Sequence, residues 1–318
     1  MSFMIRFIVA AVVAGTPLLF GTLGEIMNER VGHLNLGVEG MMSLGAVAGF
    51  MVGYRTDNFA LALIAAFAAG ALGALIYAIV TVTFMANHTV AGLTLTIFGI
   101  GLTNVIGFHY LGMSESGTLK LPEHITQQMR AVHITGLSDV PVIGPLLFQY
   151  NPFVYVGIVI AVLLALFYNF TKAGLNVRAI GENPQAADAA GVHVLAWKYV
   201  NIVIGGGICG IGGAFTIMIT NGGVWISDCV GGLGWIAVAL VIFATWKPVN
   251  AIWGSFVFGA MRILKYYVNK EIIHIPDAFY DMLPFLVTAV ILVLVSARQV
   301  RDKAQPAACG TNYFREDR

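Results

Sequence analysis

Charged residues are scarce in this sequence. Only 10% of its 318 residues are Asp, Glu, Lys or Arg, whereas a soluble domain carries roughly 25%. The mean hydropathy is +0.83, and 58% of the residues are hydrophobic. A chain with so little charged surface cannot face water on all sides, so a lipid bilayer is the solvent that fits it.

Motifs that carry chemistry are also missing. The sequence has no Gly-x-x-x-x-Gly-Lys-[Ser/Thr] phosphate loop, so we expect no ATPase activity from this chain. It has no His-Glu-x-x-His or Gly-x-Ser-x-Gly motif, which argues against an intramembrane enzyme. Its three cysteines lack the spacing of a zinc site or a disulfide framework. We therefore expect no catalytic residue, cofactor or metal, and the net charge of +1 gives no sign of a nucleic-acid partner.

Long apolar runs predict an all-α, polytopic bundle of membrane helices in contact with lipid. Residues 58–114 contain no Asp, Glu, Lys or Arg, and as one helix they would be ~85 Å long, so the chain must fold back. The polar triplet Asn87, His88 and Thr89 marks that turn. The 37 glycines, many of them inside apolar runs, indicate either close helix packing or helices that slide around a pathway. The nine predicted spans are residues 4–23, 36–54, 59–85, 90–111, 152–170, 198–220, 231–246, 249–268 and 279–297.

The predicted transmembrane domain covers residues 1–297, with an outer loop at 112–151, a cytoplasmic loop at 171–197 and a cytoplasmic tail at 298–318. Orientation follows from the basic residues, because Lys and Arg accumulate on the cytoplasmic side of a membrane. A cytoplasmic tail places ten of the seventeen basic residues inside. We therefore expect the C-terminus in the cytoplasm and, with nine spans, the N-terminus outside.

A polar, glycine-rich segment separates the first two predicted spans. Glu25, Glu29, Arg30 and Glu39 lie there among glycines that would interrupt a helix. A charge at membrane depth costs roughly 2.5–3.5 kcal/mol on insertion scales, so we expect Glu39 either to be paired, with Arg30 as the candidate partner, or to face water. Two interpretations stay open: a buried polar network that fixes two helices, or a broken helix that lines a translocation pathway. The candidate pathway residues are Asn35, Glu39, Asn87, His88 and Thr89.

The 171–197 loop contains a predicted short helix. Asn183 suits its N-cap, Pro184 its first turn and Gly191 its C-terminal cap, and the alanines between them have high helix propensity. Such a helix suits docking into a groove on another protein, and the alternative is an ordinary amphipathic loop helix. A further segment, residues 231–248, is typical of a span that ends in a tight turn, with Trp246 at the membrane interface.

Three segments carry a resemblance to a known family. They are residues 29–42 (ERVGHLNLGVEGMM), 177–192 (VRAIGENPQAADAAGV) and 234–248 (GWIAVALVIFATWKP). In this order and spacing they resemble the permease subunits of bacterial ABC importers of the branched-chain amino acid and ribose type, nearest the branch for nucleosides and simple sugars. Ala244 stands where glycine is common in that branch.

The resemblance implies a type II ABC-importer permease fold and an importer whose functions are divided among separate subunits. A cytoplasmic ABC ATPase subunit would bind the short helix, and a second permease subunit, identical or different, would complete the channel in the bacterial inner membrane. An extracytoplasmic substrate-binding (lipo)protein would deliver nucleosides or simple sugars, which ATP-driven alternating access would move inward. A stand-alone secondary transporter or channel for a small polar solute is the alternative. The implied ATPase-coupling residues are Gly181, Glu182, Asn183, Pro184, Ala186, Ala187, Asp188, Ala190 and Gly191.

Overall fold

Helices make up most of the chain in the computed structural model, which describes residues 3–113, 117–132, 136, 138, 140–268, 276–298 and 305–314. Within these ranges the only β pairing is an isolated bridge between Lys120 and Val224. Two π-helical turns, Ile79–Thr83 and Thr216–Thr220, extend α3 and α10. The helices are α1 (Phe3–Arg30), α2 (Val38–Thr56), α3 (Phe59–Ala78), α4 (His88–Gly112), α5 (Glu123–Gln128), α6 (Ile143–Leu147), α7 (Pro152–Phe170), α8 (Lys172–Glu182), α9 (Pro184–Ala189), α10 (Val194–Phe215), α11 (Leu233–Phe243), α12 (Pro248–Tyr267) and α13 (Asp277–Arg298).

A helix occupies each of the nine predicted spans, but these helices differ in how well they suit a membrane. Among the described residues, five of them are long and apolar enough to cross a bilayer by length and composition: α1, α3, α4, α7 and α10, with the π-helical turns included. Helices α2, α12 and α13 are not among these five. Helix α11 has only 11 residues, which gives ~16 Å at about 1.5 Å per residue and is about half of a bilayer's hydrocarbon core. The count of nine spans therefore stays a prediction.

Helix α11 is shorter than the predicted span 231–246 because the backbone turns at both of its ends. Gly231 and Gly232 have φ values of 56° and 86°, and Thr245 and Trp246 have φ values of 50° and 54°. All four residues lie in the left-handed region, which does not continue a right-handed helix. The tight turn predicted after this segment is confirmed.

Helix α10 is the central helix of the bundle, since it packs against α1, α2 and α3. Glycine makes these contacts possible. A Cβ atom on Gly210 would lie 2.3 Å from the carbonyl oxygen of Ala66, and one on Gly45 would lie 2.3 Å from the Cα of Gly210. The backbones therefore touch directly, and the close packing indicated by the glycine-rich runs is confirmed.

The long loops reach opposite ends of the bundle. At one end Arg30 donates hydrogen bonds to the carbonyl oxygen of Trp246, and Gly181 packs on the backbone of Arg30. At the other end the amide of Leu121 donates to the carbonyl oxygen of Gly223, at 2.8 Å. We call these the α9 end and the α5 end.

The segment 305–314 of the predicted tail lies at the α9 end. The amide of Gly310 donates to the carbonyl oxygen of Gly32, at 3.2 Å. The side chain of Asn312 donates to the carbonyl oxygen of Met85, at 2.5 Å. The tail's basic residues Arg301, Lys303, Arg315 and Arg318 lie outside the described residues.

Candidate functional site

The break between α1 and α2 covers residues 31–37 and is organised by Glu25. This buried carboxylate accepts a hydrogen bond from the Asn28 side chain at 2.8 Å and one from the backbone amide of Asn35 at 2.9 Å. Gly32 turns the chain with a φ of 88°. The Asn35 side chain accepts from the amide of Gly37, at 2.8 Å, just before α2 begins. These bonds link polar groups of α1, the break and α2, as the polar-network interpretation expects. The network is incomplete within the described residues, since both ring nitrogens of the buried His33 have no hydrogen-bond partner there.

Glu39 joins the start of α2 to the start of α11. Its side chain is 2% exposed, and its two carboxylate oxygens accept from the backbone amides of Gly232 at 2.7 Å and Gly234 at 2.5 Å. A carboxylate at a helix N-terminus is favoured by the unpaired amides and by the helix dipole. The neighbouring Gly40 packs on the backbone of Leu95, ~10 Å along α4 from its first residue. Glu39 therefore lies well inside the bundle and not at its end.

The expected pairing of Arg30 with Glu39 is wrong. Arg30 instead donates through Nε and Nη2 to the carbonyl oxygen of Trp246, at 3.0 and 2.8 Å. The indole of Trp246 donates to Glu29, at 2.5 Å. Trp246 is only 6% exposed, so its indole packs inside the protein against a buried carboxylate. Its position at the membrane interface stays a prediction.

The turn between α3 and α4 carries three of the pathway candidates. The side chain of Asn87 accepts from the amide of Val90 at 3.0 Å and so caps α4. The buried ring of His88 stacks on His33 with a centroid distance of 4.2 Å. Burial and the nearby Lys198 ammonium lower the pKa of His33, so its ring is neutral at pH 7. Thr89 is half-buried.

The five pathway candidates do not line one common cavity within the described part of the chain. Asn35 and Glu39 are buried and use their oxygen atoms in hydrogen bonds to backbone amides. Asn87 lines a groove of about 490 Å³ along α3 and α4 whose other walls are mainly apolar. His88 belongs to a separate buried cluster with His33. Their role in a pathway stays a prediction.

The 171–197 loop folds into two helices, α8 and α9. The side chain of Asn183 caps α9 by accepting from the amide of Ala186, at 2.9 Å. Pro184 is the first residue of α9, and Gly191 follows the helix with a φ of 85°. The short capped helix is therefore confirmed. The preceding helix α8 was not predicted, although Thr171, which accepts from the amide of Gly174 at 2.9 Å, is a suitable N-cap that the sequence shows.

The nine coupling candidates divide into a buried and an exposed set. Gly181, Pro184 and Ala187 are buried, and Asp188 is half-buried. A Cβ atom on Gly181 would lie 2.3 Å from the carbonyl oxygen of Arg30, so the small side chain there serves packing within the chain. The exposed set consists of Glu182, Asn183, Ala186, Ala190 and Gly191.

A polar cleft lies beside α8 at the α9 end. It has a volume of about 830 Å³, and Arg30, Arg178, Lys247 and Glu182 are among its lining residues. Of these four side chains, three are basic and one is a carboxylate. Such an excess of Lys and Arg is typical of the cytoplasmic side of membrane proteins.

Comparison with known proteins decides the family. The family described as branched-chain amino acid transport system / permease component matches residues 7–294. The chain belongs to this family. Its membership confirms the resemblance carried by the three motifs, as well as the expected all-α, multi-pass membrane fold.

Several relatives of this permease have known names. A candidate glucose ABC transporter permease protein of Haloferax volcanii is 35% identical over 265 residues, which cover 83% of this chain and 78% of the relative. A nucleoside ABC transporter permease protein of Lactococcus lactis is 30% identical over 311 residues, 94% of each chain. A guanosine ABC transporter permease protein of Bacillus subtilis is 31% identical over 310 residues, 93% of each chain.

Proposed function

We propose that this permease is the membrane subunit of a binding-protein-dependent ABC importer that moves nucleosides or simple sugars inward. The family match and the names of the relatives support this class of transporter. The feature that carries the proposal is α9, a short capped helix whose outer face is exposed. It offers a separate ATPase subunit a place to dock, and the chain has no phosphate loop of its own.

The docking surface consists of the exposed set defined above. Ala186 and Ala190 present small side chains, which leave room for the partner's own side chains. Pro184 and Ala187 face the bundle and anchor the helix. A movement of the ATPase subunit on binding and hydrolysing ATP would thus reach the bundle through α9. Alternating access then follows as the inner and outer ends open in turn.

Ala186→Glu tests this surface. A glutamate at this third helical position complements the helix N-terminus, so the fold of α9 is not weakened. The added charge and bulk should abolish docking, and we expect a loss of at least tenfold in ATP-driven uptake and in co-purification of the ATPase subunit. Gln127→Glu adds the same charge to an exposed position of α5 and should change neither. Normal ATPase association of Ala186→Glu would contradict the assignment.

The substrate proposal rests on the relatives, whose names specify glucose, nucleosides and guanosine. The direct experiment is uptake of radiolabelled guanosine and glucose into proteoliposomes that hold the permease, its ATPase and its second permease subunit, with the binding protein added outside. We expect uptake of one of these solutes only with ATP inside. Gradient-driven uptake by this chain alone would instead favour a stand-alone transporter or channel.

A further inference from the structure

The C-terminal segment 305–314 lies across the α9 end and touches several helix ends at once. Its backbone donates from Ala308 to the carbonyl oxygen of Gly181 at 2.9 Å, and from Gly310 to that of Gly32 at 3.2 Å. Pro306 packs against Gly181. We call this segment the strap, because it connects the end of α8 to the break between α1 and α2.

Two neighbouring side chains extend the strap to other elements. Tyr313 is 7% exposed, and its hydroxyl donates to the carboxylate of Asp188 in α9, at 2.8 Å. The Lys198 ammonium of α10 lies 5.9 Å from the centre of the Tyr313 ring. Asn312 donates to the carbonyl oxygen of Met85 in the turn between α3 and α4. Adjacent strap residues therefore hold the helix proposed to dock the ATPase and the turn that precedes α4.

The strap also covers a buried polar cluster. The cavity there has a volume of about 10 Å³, and its lining includes His33, Lys198, Asn312 and Tyr313. This is about the smallest volume that holds one water. His33 and Lys198 are 1% and 3% exposed. Burial raises the pKa of the Cys309 thiol in the strap, so it is a neutral, weakly polar group there. The strap thus covers polar side chains of two other elements, His33 of the break and Lys198 of α10.

We propose that the strap transmits the position of α9 to the inner ends of α2 and α4, and that Tyr313 is the positioning residue of this link. The inference rests on the proposed function, since it takes α9 to be the element that the ATPase moves. When α9 shifts, Asp188 carries Tyr313 with it. Asn312 and Gly310 then displace the turn at Met85 and the break at Gly32.

Tyr313→Phe tests the link in the complete complex reconstituted in proteoliposomes. Phenylalanine keeps the ring beside Lys198 and removes only the hydroxyl that Asp188 accepts from. ATP hydrolysis and uptake are measured separately. We expect the amount of uptake per ATP hydrolysed to fall at least threefold, while assembly and the thermal midpoint of the complex stay unchanged. Tyr266→Phe removes a hydroxyl from a residue that is 76% exposed and should leave the ratio unchanged.

Asp188→Ala provides the second arm of the experiment. If the two groups act through one contact, the double variant should lower uptake per ATP no further than the more severe single variant. An unchanged ratio in Tyr313→Phe overturns the proposal, and so does loss of assembly in that variant, because the strap would then serve structure alone. Failure of the function proposed above is a separate result: the unmodified complex would show no ATP-driven uptake.

Discussion

At the scale of single residues, the carboxylate of Glu39 accepts hydrogen bonds from two backbone amides and forms no ion pair with Arg30. This solution needs no second charged side chain inside the bilayer, where each charge is costly. It also satisfies amides at the start of α11 that have no partner within the helix. The Glu39 side chain therefore has partners for its own oxygen atoms and provides acceptors for two helix-end amides at membrane depth.

Glu39→Gln should destabilise the permease. Glutamine has one oxygen and one amide group, so one of the two backbone donors would face another donor. Because a hydrogen bond to a charged group contributes about 1.5–3 kcal/mol, we expect a loss of that size in the free energy of unfolding in mixed micelles. The exposed Glu123 gives the matched control, and Glu123→Gln should be near neutral. Equal stability of both variants would show that the bonds to Gly232 and Gly234 contribute nothing.

The sequence revealed the role of a residue only where the partner of that residue is close along the chain. Asn183 caps an amide three residues away, and such short-range geometry follows from residue type and spacing alone. The partners of Glu39 and Trp246 lie 193 and 217 residues away. No local pattern contains that information, so the sequence indicated that Glu39 needs a partner but not which groups provide it.

At the scale of helices, close backbone contact holds α10 in the centre of the bundle. Neighbouring helices approach it at glycine positions, where there is no space for even one methyl group. Dispersion contacts of this kind replace the hydrophobic effect, which gives little drive for association between helices in lipid. The number of glycines predicted close packing, but the pairs that meet, such as Gly45 with Gly210, depend on the register of the helices.

Gly210→Ala should destabilise the bundle, because its new methyl group would overlap the carbonyl oxygen of Ala66. Overpacking of this kind costs typically about 1–3 kcal/mol. Gly101 of α4 is the control, since a Cβ atom there meets nothing within 4 Å. Gly101→Ala should keep or raise stability through the higher helix propensity of alanine. Thermal midpoints in detergent measure the stability of both variants. Equal midpoints would show that the contact between Gly210 and Ala66 is unimportant.

At the scale of the whole molecule, the α9 end and the α5 end differ in the elements that they display. The α9 end carries α8, α9, the strap and the cationic cleft, whereas the α5 end carries the loop between α4 and α7. The boundaries of most helices followed from apolar runs in the sequence. The strap did not, because its uncharged side chains give no periodic signal and its contacts with the helix ends are long-range.

The orientation predicted from charge can be tested by cysteine labelling. In a Cys229→Ser, Cys309→Ser background, Gln127→Cys and Gln185→Cys place thiols on exposed positions of α5 and α9. A membrane-impermeant maleimide should label Gln127→Cys in intact cells. It should label Gln185→Cys only after the membrane is permeabilised, because we expect α9 in the cytoplasm. The reverse pattern would invert the orientation.

The contact between Glu39 and α11 also has a consequence for biosynthesis. The two amides that bind the carboxylate lie about 193 residues further along the chain, so at about 5–20 residues per second the ribosome needs roughly 10–40 s to produce them. During this interval α2 enters the membrane with an ionisable group that has no final partner. Until α11 is made, Glu39 therefore needs another way to avoid the cost of an unpaired charge at membrane depth, such as protonation or contact with water.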